Sequence, residues 1–252
     1  MTHQTLLIVD DDQARPNPSQ WERSSQVMLY AILGTLAGLV ETREPEASQH
    51  IPRTRRYVEA LATRLAAQPR FAAELSPARI ALLGKASQLH DIGKIAIPER
   101  ILLKPGRLDA TEFEVVKTHS RLGGEILTHA RRQAEAGLAD CPAEERQAAL
   151  AYLDLARTIA TSHHERWDGT GYPEGLKAED IPLAARLMAL ADVFDAFTTR
   201  RVYKPALSLA VTRDYILSQS GKQFDPQVVA AFTDCFDEFV RIAREYPDPR
   251  PA

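Results

Sequence analysis

Cysteine is almost missing from the 252 residues. Cys141 and Cys235 stand far apart without a CxxC spacing, so neither a zinc knuckle nor a disulfide framework can be built from them. A reducing cytoplasm suits such a chain. An excess of either charge is also lacking: 31 Lys+Arg face 34 Asp+Glu, a net charge of −3. With no uniformly basic surface to grip a phosphate backbone, DNA is not an expected partner. No apolar run reaches the ~20 residues that cross a bilayer. The longest, VMLYAILGTLAGLV at 27–40, is interrupted by Gly34, Thr35 and Gly38. A basic-then-apolar leader is absent, because the chain opens on Asp10, Asp11 and Asp12, so neither export nor a membrane partner is expected. Internal repeats and low-complexity tracts are missing as well. With 44% hydrophobic and 26% charged residues, the composition excludes disorder and collagen and is that of an ordinary globular protein.

What is there is helical. Residues 5–12 (TLLIVDDD) form the only strand-like run, β-branched and ending in acids, before the turn-rich QARPNPSQ at 13–20. This run resembles the first strand and acidic pair of a response-regulator receiver domain, so 1–20 is read as a truncated receiver-like remnant or tail. From Trp21 onward apolar residues recur at three- and four-residue spacing over 21–43, 47–67, 77–92, 111–130, 143–163, 183–199, 207–219 and 226–244. Pro98, the KPG at 104–106, GTGYPEG at 169–175 and Ile181-Pro182 interrupt them. The spacing predicts an all-α bundle with one Gly-rich loop and no strand pair. Segment 21–45 is read as a linking helix that buries its apolar face in a homodimer. Segment 131–149 is polar and rich in Ala, Glu and Arg, the pattern of a solvated excursion between two helices. The catalytic unit is expected over 46–245, with 246–252 as a tail.

The chemistry gathers on histidine. Of seven histidines, His90 adjoins Asp91 at the end of an apolar helix, with Lys94 one turn on. Glu46 and His50 are four apart, which places them on one helix face. His163 and His164 are adjacent and would point about 100° apart on a helix, able to serve two different ions. Asp192 lies in the apolar ALADVFDA, where an unpaired carboxylate would be costly to bury. Any one of these reads as a satisfied polar side chain. Together, five His, two Asp and one Glu form a nitrogen and oxygen donor set without sulfur, suited to Fe or Mn.

Three stretches then carry a specific resemblance: HDIGK at 90–94, HHERWDGTGYP at 163–173 and ADVFDAFTTRRVYK at 191–204. They are similar to the signatures of the HD-GYP family, a subset of the HD phosphohydrolases. The likeness spans roughly 41–232 and includes KPGRL at 104–108, FEVVKTHSRLGGEIL at 113–127 and FDPQVVAAF at 224–232. That family is all-helical and hydrolyses the bacterial messenger cyclic di-GMP at a centre of two or three divalent metal ions.

Carried over by position, the resemblance implies His90, Asp91, His119, His163, His164 and Asp192 as metal ligands, with Asp91 bridging two ions. It implies His50 and Glu46 for a third site. It places Lys94 beside the attacking hydroxide and the scissile phosphate, Gly171, Tyr172 and Pro173 in the loop that shapes the substrate pocket, and Arg201 and Lys204 against the phosphates or guanine of the dinucleotide. The implied product is linear pGpG, and GMP where the third metal acts. The resemblance also implies a diguanylate cyclase (GGDEF) protein as a partner. Two other readings keep the same site: an HD hydrolase of another cyclic dinucleotide, and a catalytically weak module that binds the dinucleotide or a partner and signals by contact.

Overall fold

The computed structural model describes residues 34–35, 37–40, 49–199 and 206–248. The receiver-like remnant, Glu46, Arg201, Lys204 and most of the 21–45 segment lie outside the described residues, although 34–35 and 37–40 are helical. Among the described residues there is no β-strand, only an isolated bridge between Ser220 and Phe224. None of their helices is long and apolar enough to cross a membrane.

Helix α1 (His50–Ala66) runs through the centre. Its buried Ile51, Tyr57, Val58, Leu61 and Leu65 recur at helical spacing and pack against the helices that follow. A short α2 (Pro69–Ala72) leads to α3 (Pro77–Ser87), where Ser76 accepts the Arg79 amide at 3.2 Å as an N-cap. A 3-10 turn (Ile92–Ala96) and the four-residue α4 (Glu99–Leu102) connect to α5 (Ala110–Gly137). There Asp109 and Glu112 form a reciprocal capping box.

Helix α6 (Ala143–Ser162) returns antiparallel along α5. A loop with a further 3-10 turn (Ala178–Asp180) precedes α7 (Leu183–Thr198). Helix α7 is apolar nearly all round and correspondingly buried, from Leu183 to Phe194. Helices α8 (Leu209–Ser218), α9 (Pro226–Asp234) and α10 (Phe236–Glu245) close the core, with Phe194, Phe232 and Phe239 in mutual edge-on contact.

Three expectations change. The 77–92 helix stops at Ser87, and His90 and Asp91 stand on a turn before the 3-10 segment. The turn lets Gly93 lie directly on the α5 backbone, where a Cβ would overlap the His119 carbonyl and the Gly123 amide. The 131–149 stretch is no excursion: α5 continues through it to Gly137 and α6 begins at Ala143, so the polar residues form the solvated tip of a helical hairpin. The 226–244 helix breaks at Cys235, whose φ of −114° and ψ of 21° leave the helical range.

Gly123 and Gly124 explain the tightness of that hairpin. A Cβ on Gly124 would overlap Thr161, and one on Gly123 would sit 3.3 Å from both the Ala160 Cβ and the Gly93 amide. The diglycine therefore brings α5, α6 and the His90-Asp91 turn to one place.

Candidate metal centre

His90 and Asp91 come from the turn, His119 from α5, His163 and His164 from the end of α6, His50 from the first turn of α1 and Asp192 from α7. The structure brings all seven together in two adjoining groups, each able to hold a metal ion. In the first, the donor atoms of Asp91, His119, His163 and His164 all lie within 4.8 Å of one another. The second holds His50, His90 and Asp192. Asp91 joins them: its Oδ2 is 3.3 Å from His90 Nε2, while its Oδ1 is 3.2 Å from His119 Nε2 and 3.7 Å from His163 Nε2.

His163 and His164 are not divided between the two groups. His163 is the C-cap of α6 and His164 lies beyond it, so both rings fall in one group with centroids 4.0 Å apart.

Four of the rings are oriented by an acceptor behind them. His90 Nδ1 is 3.0 Å from the Ser87 carbonyl, His119 Nδ1 is 2.7 Å from that of Val116, and His163 Nδ1 is 3.0 Å from that of Ile159. His50 Nδ1 is 2.9 Å from Asp195 Oδ2. A carbonyl or carboxylate oxygen only accepts, so each Nδ1 carries a hydrogen and each Nε2 turns inward as the atom left for an ion. These Nε2 atoms face each other: those of His50 and His90 are 3.2 Å apart, and those of His119 and His163 are 3.5 Å apart. Asp91 Oδ1 is buried with no hydrogen-bond partner. Inward-facing Nε2 atoms around an orphaned carboxylate oxygen call for positive charge between them, and the all-N/O donor set fits Fe or Mn.

Burial, then the positive fields of neighbouring histidines, holds His164 well below the ordinary imidazole value, and burial outweighs the nearby Asp91 to hold His163 below it, so both rings are neutral and keep one nitrogen lone pair each. Burial opposes ionisation of Asp91, but Lys94, with its Nζ 2.9 Å from Oδ2, and His90 outweigh it and hold the carboxyl well below its usual range. Burial likewise opposes charge on His90, but Asp91 and Asp192 raise it to about 9, so in the metal-free protein its Nε2 carries a proton that an ion would displace.

A cavity of about 240 Å³ opens onto both groups. His50, His90, Asp91, His119, His164 and Asp192 line it together with Lys94 and Tyr172. Ile51, Ile92, Phe113 and Val116 form an apolar wall. The Tyr172 ring packs 4.8 Å from that of His164, with the Lys117 ammonium 5.5 Å from its centroid. Gly171 lies instead against the backbone of Glu165 and Arg166, where any Cβ would overlap, and Pro173 is exposed.

Two sets of residues around the site went unnoticed in the sequence. Asp195 and Arg53 are buried behind His50, with Arg53 Nε 2.6 Å from Asp195 Oδ1. Burial opposes ionisation of Asp195, yet His50 and Arg53 hold its carboxyl below the usual carboxylate range. Glu165 is also buried, and it accepts the amides of Glu174 at 2.7 Å and Leu176 at 3.0 Å, tying down the Gly-rich loop. The one available signal was position, since Asp195 lies three residues from Asp192 and Glu165 follows the His pair.

Residues 35–228 match the family model described as HD domain. The chain is 46% identical over 244 residues to a protein of Vibrio cholerae named cyclic di-GMP phosphodiesterase, covering 97% of this chain and 46% of that protein. It is 36% identical over 217 residues to a 3′3′-cGAMP-specific phosphodiesterase 2 of the same organism, covering 86% of this chain and 37% of that one. The chain thus spans less than half the length of either relative. Among solved structures, an HDG"Y"P protein from Bdellovibrio bacteriovorus superposes with a TM-score of 0.50 at 17% identity, over 87% of this chain and 67% of that one, a likeness of fold. With the family model matching most of its length, the chain belongs to the HD domain family.

Proposed function

We propose that this chain is a metal-dependent phosphodiesterase of the HD-GYP type that hydrolyses cyclic di-GMP. The observation that carries the reading is the junction at Asp91, whose two oxygens face the two His/Asp groups within one cavity. The 46% identical relative named for this activity supports the substrate.

Bound in these groups, two or three divalent cations would supply hydroxide at neutral pH and offset charge building on the phosphoryl oxygens. Asp91, His119, His163 and His164 would hold one ion and His50, His90 and Asp192 another, with Glu46 assigned to a third. Lys94 keeps Asp91 ionised and offers an ammonium at the cavity wall for the scissile phosphate. Tyr172 and the apolar wall exclude water beside a base, while Gly171 and Pro173 set the loop that carries Tyr172. Arg201, a planar fork for phosphate or a guanine edge, and Lys204, a point charge, complete the substrate contacts. Hydrolysis of one phosphodiester opens the ring to linear pGpG, and hydrolysis of the second gives GMP. A homodimer through 21–45, a GGDEF-protein partner and a cytoplasmic location belong to the same proposal.

The test is anaerobic incubation of Fe(II)- or Mn(II)-reconstituted protein with cyclic di-GMP, products being separated chromatographically beside Asp91→Ala. Linear pGpG or GMP from the parent chain alone is expected. A second reading, hydrolysis of a mixed cyclic dinucleotide, is favoured by the 36% identical relative. Parallel incubation with 3′3′-cGAMP decides between them, and turnover of neither by a metal-loaded chain overturns both.

A further inference from the structure

We propose that Asp195 is a positioning residue for the metal centre, fixing the His50 imidazole from behind so that one of the two His/Asp groups keeps its affinity. The inference rests on the metal reading above and concerns a residue outside both groups. Helix α7 presents Asp192 and Asp195 three positions apart, and the two carboxylates flank one imidazole at opposite nitrogens, Asp195 alone within hydrogen-bond distance. Asp192 Oδ1 is 3.7 Å from His50 Nε2, on the cavity side, while Asp195 Oδ2 is 2.9 Å from Nδ1.

Asp195 is 1% exposed and both its oxygens are engaged, so it has no lone pair directed at the cavity. Oδ1 accepts from Arg53 Nε at 2.6 Å and Oδ2 from Arg53 Nη2 at 3.0 Å as well as from His50. Arg53, itself 3% exposed, extends the bracing: Nη1 donates to the Tyr246 carbonyl and to Asp248 Oδ1, both at 2.9 Å, and Nη2 donates to Thr199 at 3.1 Å. A guanidinium fixed at that many points cannot follow a rotating carboxylate, and a carboxylate so held cannot follow a rotating imidazole. A carboxylate behind a ligating histidine fixes both the tautomer and the ring plane, and loss of such a partner costs about 10–100-fold in metal affinity.

The experiment is titration of the metal-free full chain with Mn(II) and with Co(II), reading free Mn(II) by electron paramagnetic resonance and the Co(II) absorption bands. The parent is compared with Asp195→Ala, Asp195→Asn and His119→Ala. In Asp195→Ala one ion is expected to weaken by about 10–100-fold with its Co(II) bands changed, while the other binds as in the parent. Asn keeps an acceptor oxygen for His50 Nδ1–H and recovers part of the loss. His119→Ala weakens the opposite ion, which identifies the groups. Parental affinity for both ions in Asp195→Ala overturns the proposal, as does an equal loss of both ions in step with the melting temperature of the metal-free protein. Failure of the parent chain to take up either metal overturns the metal reading together with this assignment, an outcome visible before any variant is made.

Discussion

Gly93 lies against the backbone carbonyl of His119 so closely that any side chain there would overlap it. Because one residue follows the His90-Asp91 pair and the other is itself in the first group, this contact sets the distance between two of the segments that build the centre. Gly93→Ala must push the turn off α5. The expected cost is about 1–3 kcal/mol in urea unfolding of the metal-free protein, with metal uptake falling at the same time. Gly123→Ala, whose nearest neighbours lie at 3.3 Å, should lose less on both counts. If Gly93→Ala matches the parent in stability and uptake, the close approach does not determine the site.

The loop offers a different readout. Glu165→Gln replaces one carboxylate oxygen with an amide NH2 that confronts a backbone N–H, either that of Glu174 or that of Leu176. Hydrogen bonds to a charged acceptor contribute about 1.5–3 kcal/mol each, so the loop should loosen while both His/Asp groups stay intact. We expect a higher KM for cyclic di-GMP, faster proteolytic cleavage within 169–177 and an unchanged metal content. Unchanged KM and proteolysis would leave Glu165 without an anchoring role.

Most of the helical layout was legible because burial on one face imposes a 3.6-residue period, as α1 and α7 show. The ends were less so, since termination depends on what the next segment packs against. Nothing in ALLGKASQLHDIGK reveals that Gly93 must reach the α5 backbone, so the apolar pattern alone continues past Ser87, where the helix ends. A polar surface also fails to distinguish a loop from a solvated helix tip, so the composition of 131–149 fits either. The histidines stood out because their type is rare and their spacing specific. Asp195 and Arg53 did not, because a single charge in a helix is usually solvated, and their meaning comes from partners 142 to 146 residues away.

The clustered imidazole nitrogens and the unpartnered Asp91 Oδ1 leave the metal-free site with donor atoms that a divalent ion would satisfy, so binding should raise the stability of the whole chain. Free Mn(II) at 100 times its Kd adds about 2.7 kcal/mol per site, or roughly 5–10 °C in melting temperature for a chain of this size. A chelator should reverse the shift. His163→Ala, which removes a donor from the first group, should reduce it without lowering the melting temperature of the metal-free protein by a comparable amount. A melting temperature indifferent to Mn(II) and to chelator would mean that the groups hold no ion.

Far from the cavity, Arg186 and Asp225 hold the start of α7 to the start of α9. Arg186 Nη1 donates to Asp225 Oδ2 at 2.6 Å, and the Asp225 side chain is 1% exposed. The other oxygen, Oδ1, caps α9 by accepting the Gln227 amide at 2.7 Å. Asp225→Ala removes both roles at once: it strands a mostly buried guanidinium, a loss of about 3–5 kcal/mol, and uncaps a helix, a loss of about 1 kcal/mol. Arg186→Met leaves the cap in place and should therefore cost less, although it leaves the carboxylate unpaired. Neither variant touches the His/Asp groups, so metal affinity should stay at the parental value in whatever fraction remains folded. Urea unfolding of the three proteins, each with and without Mn(II), separates these effects. A larger loss in Arg186→Met than in Asp225→Ala would show that the stranded carboxylate costs more than the stranded guanidinium and the lost cap together, overturning this order.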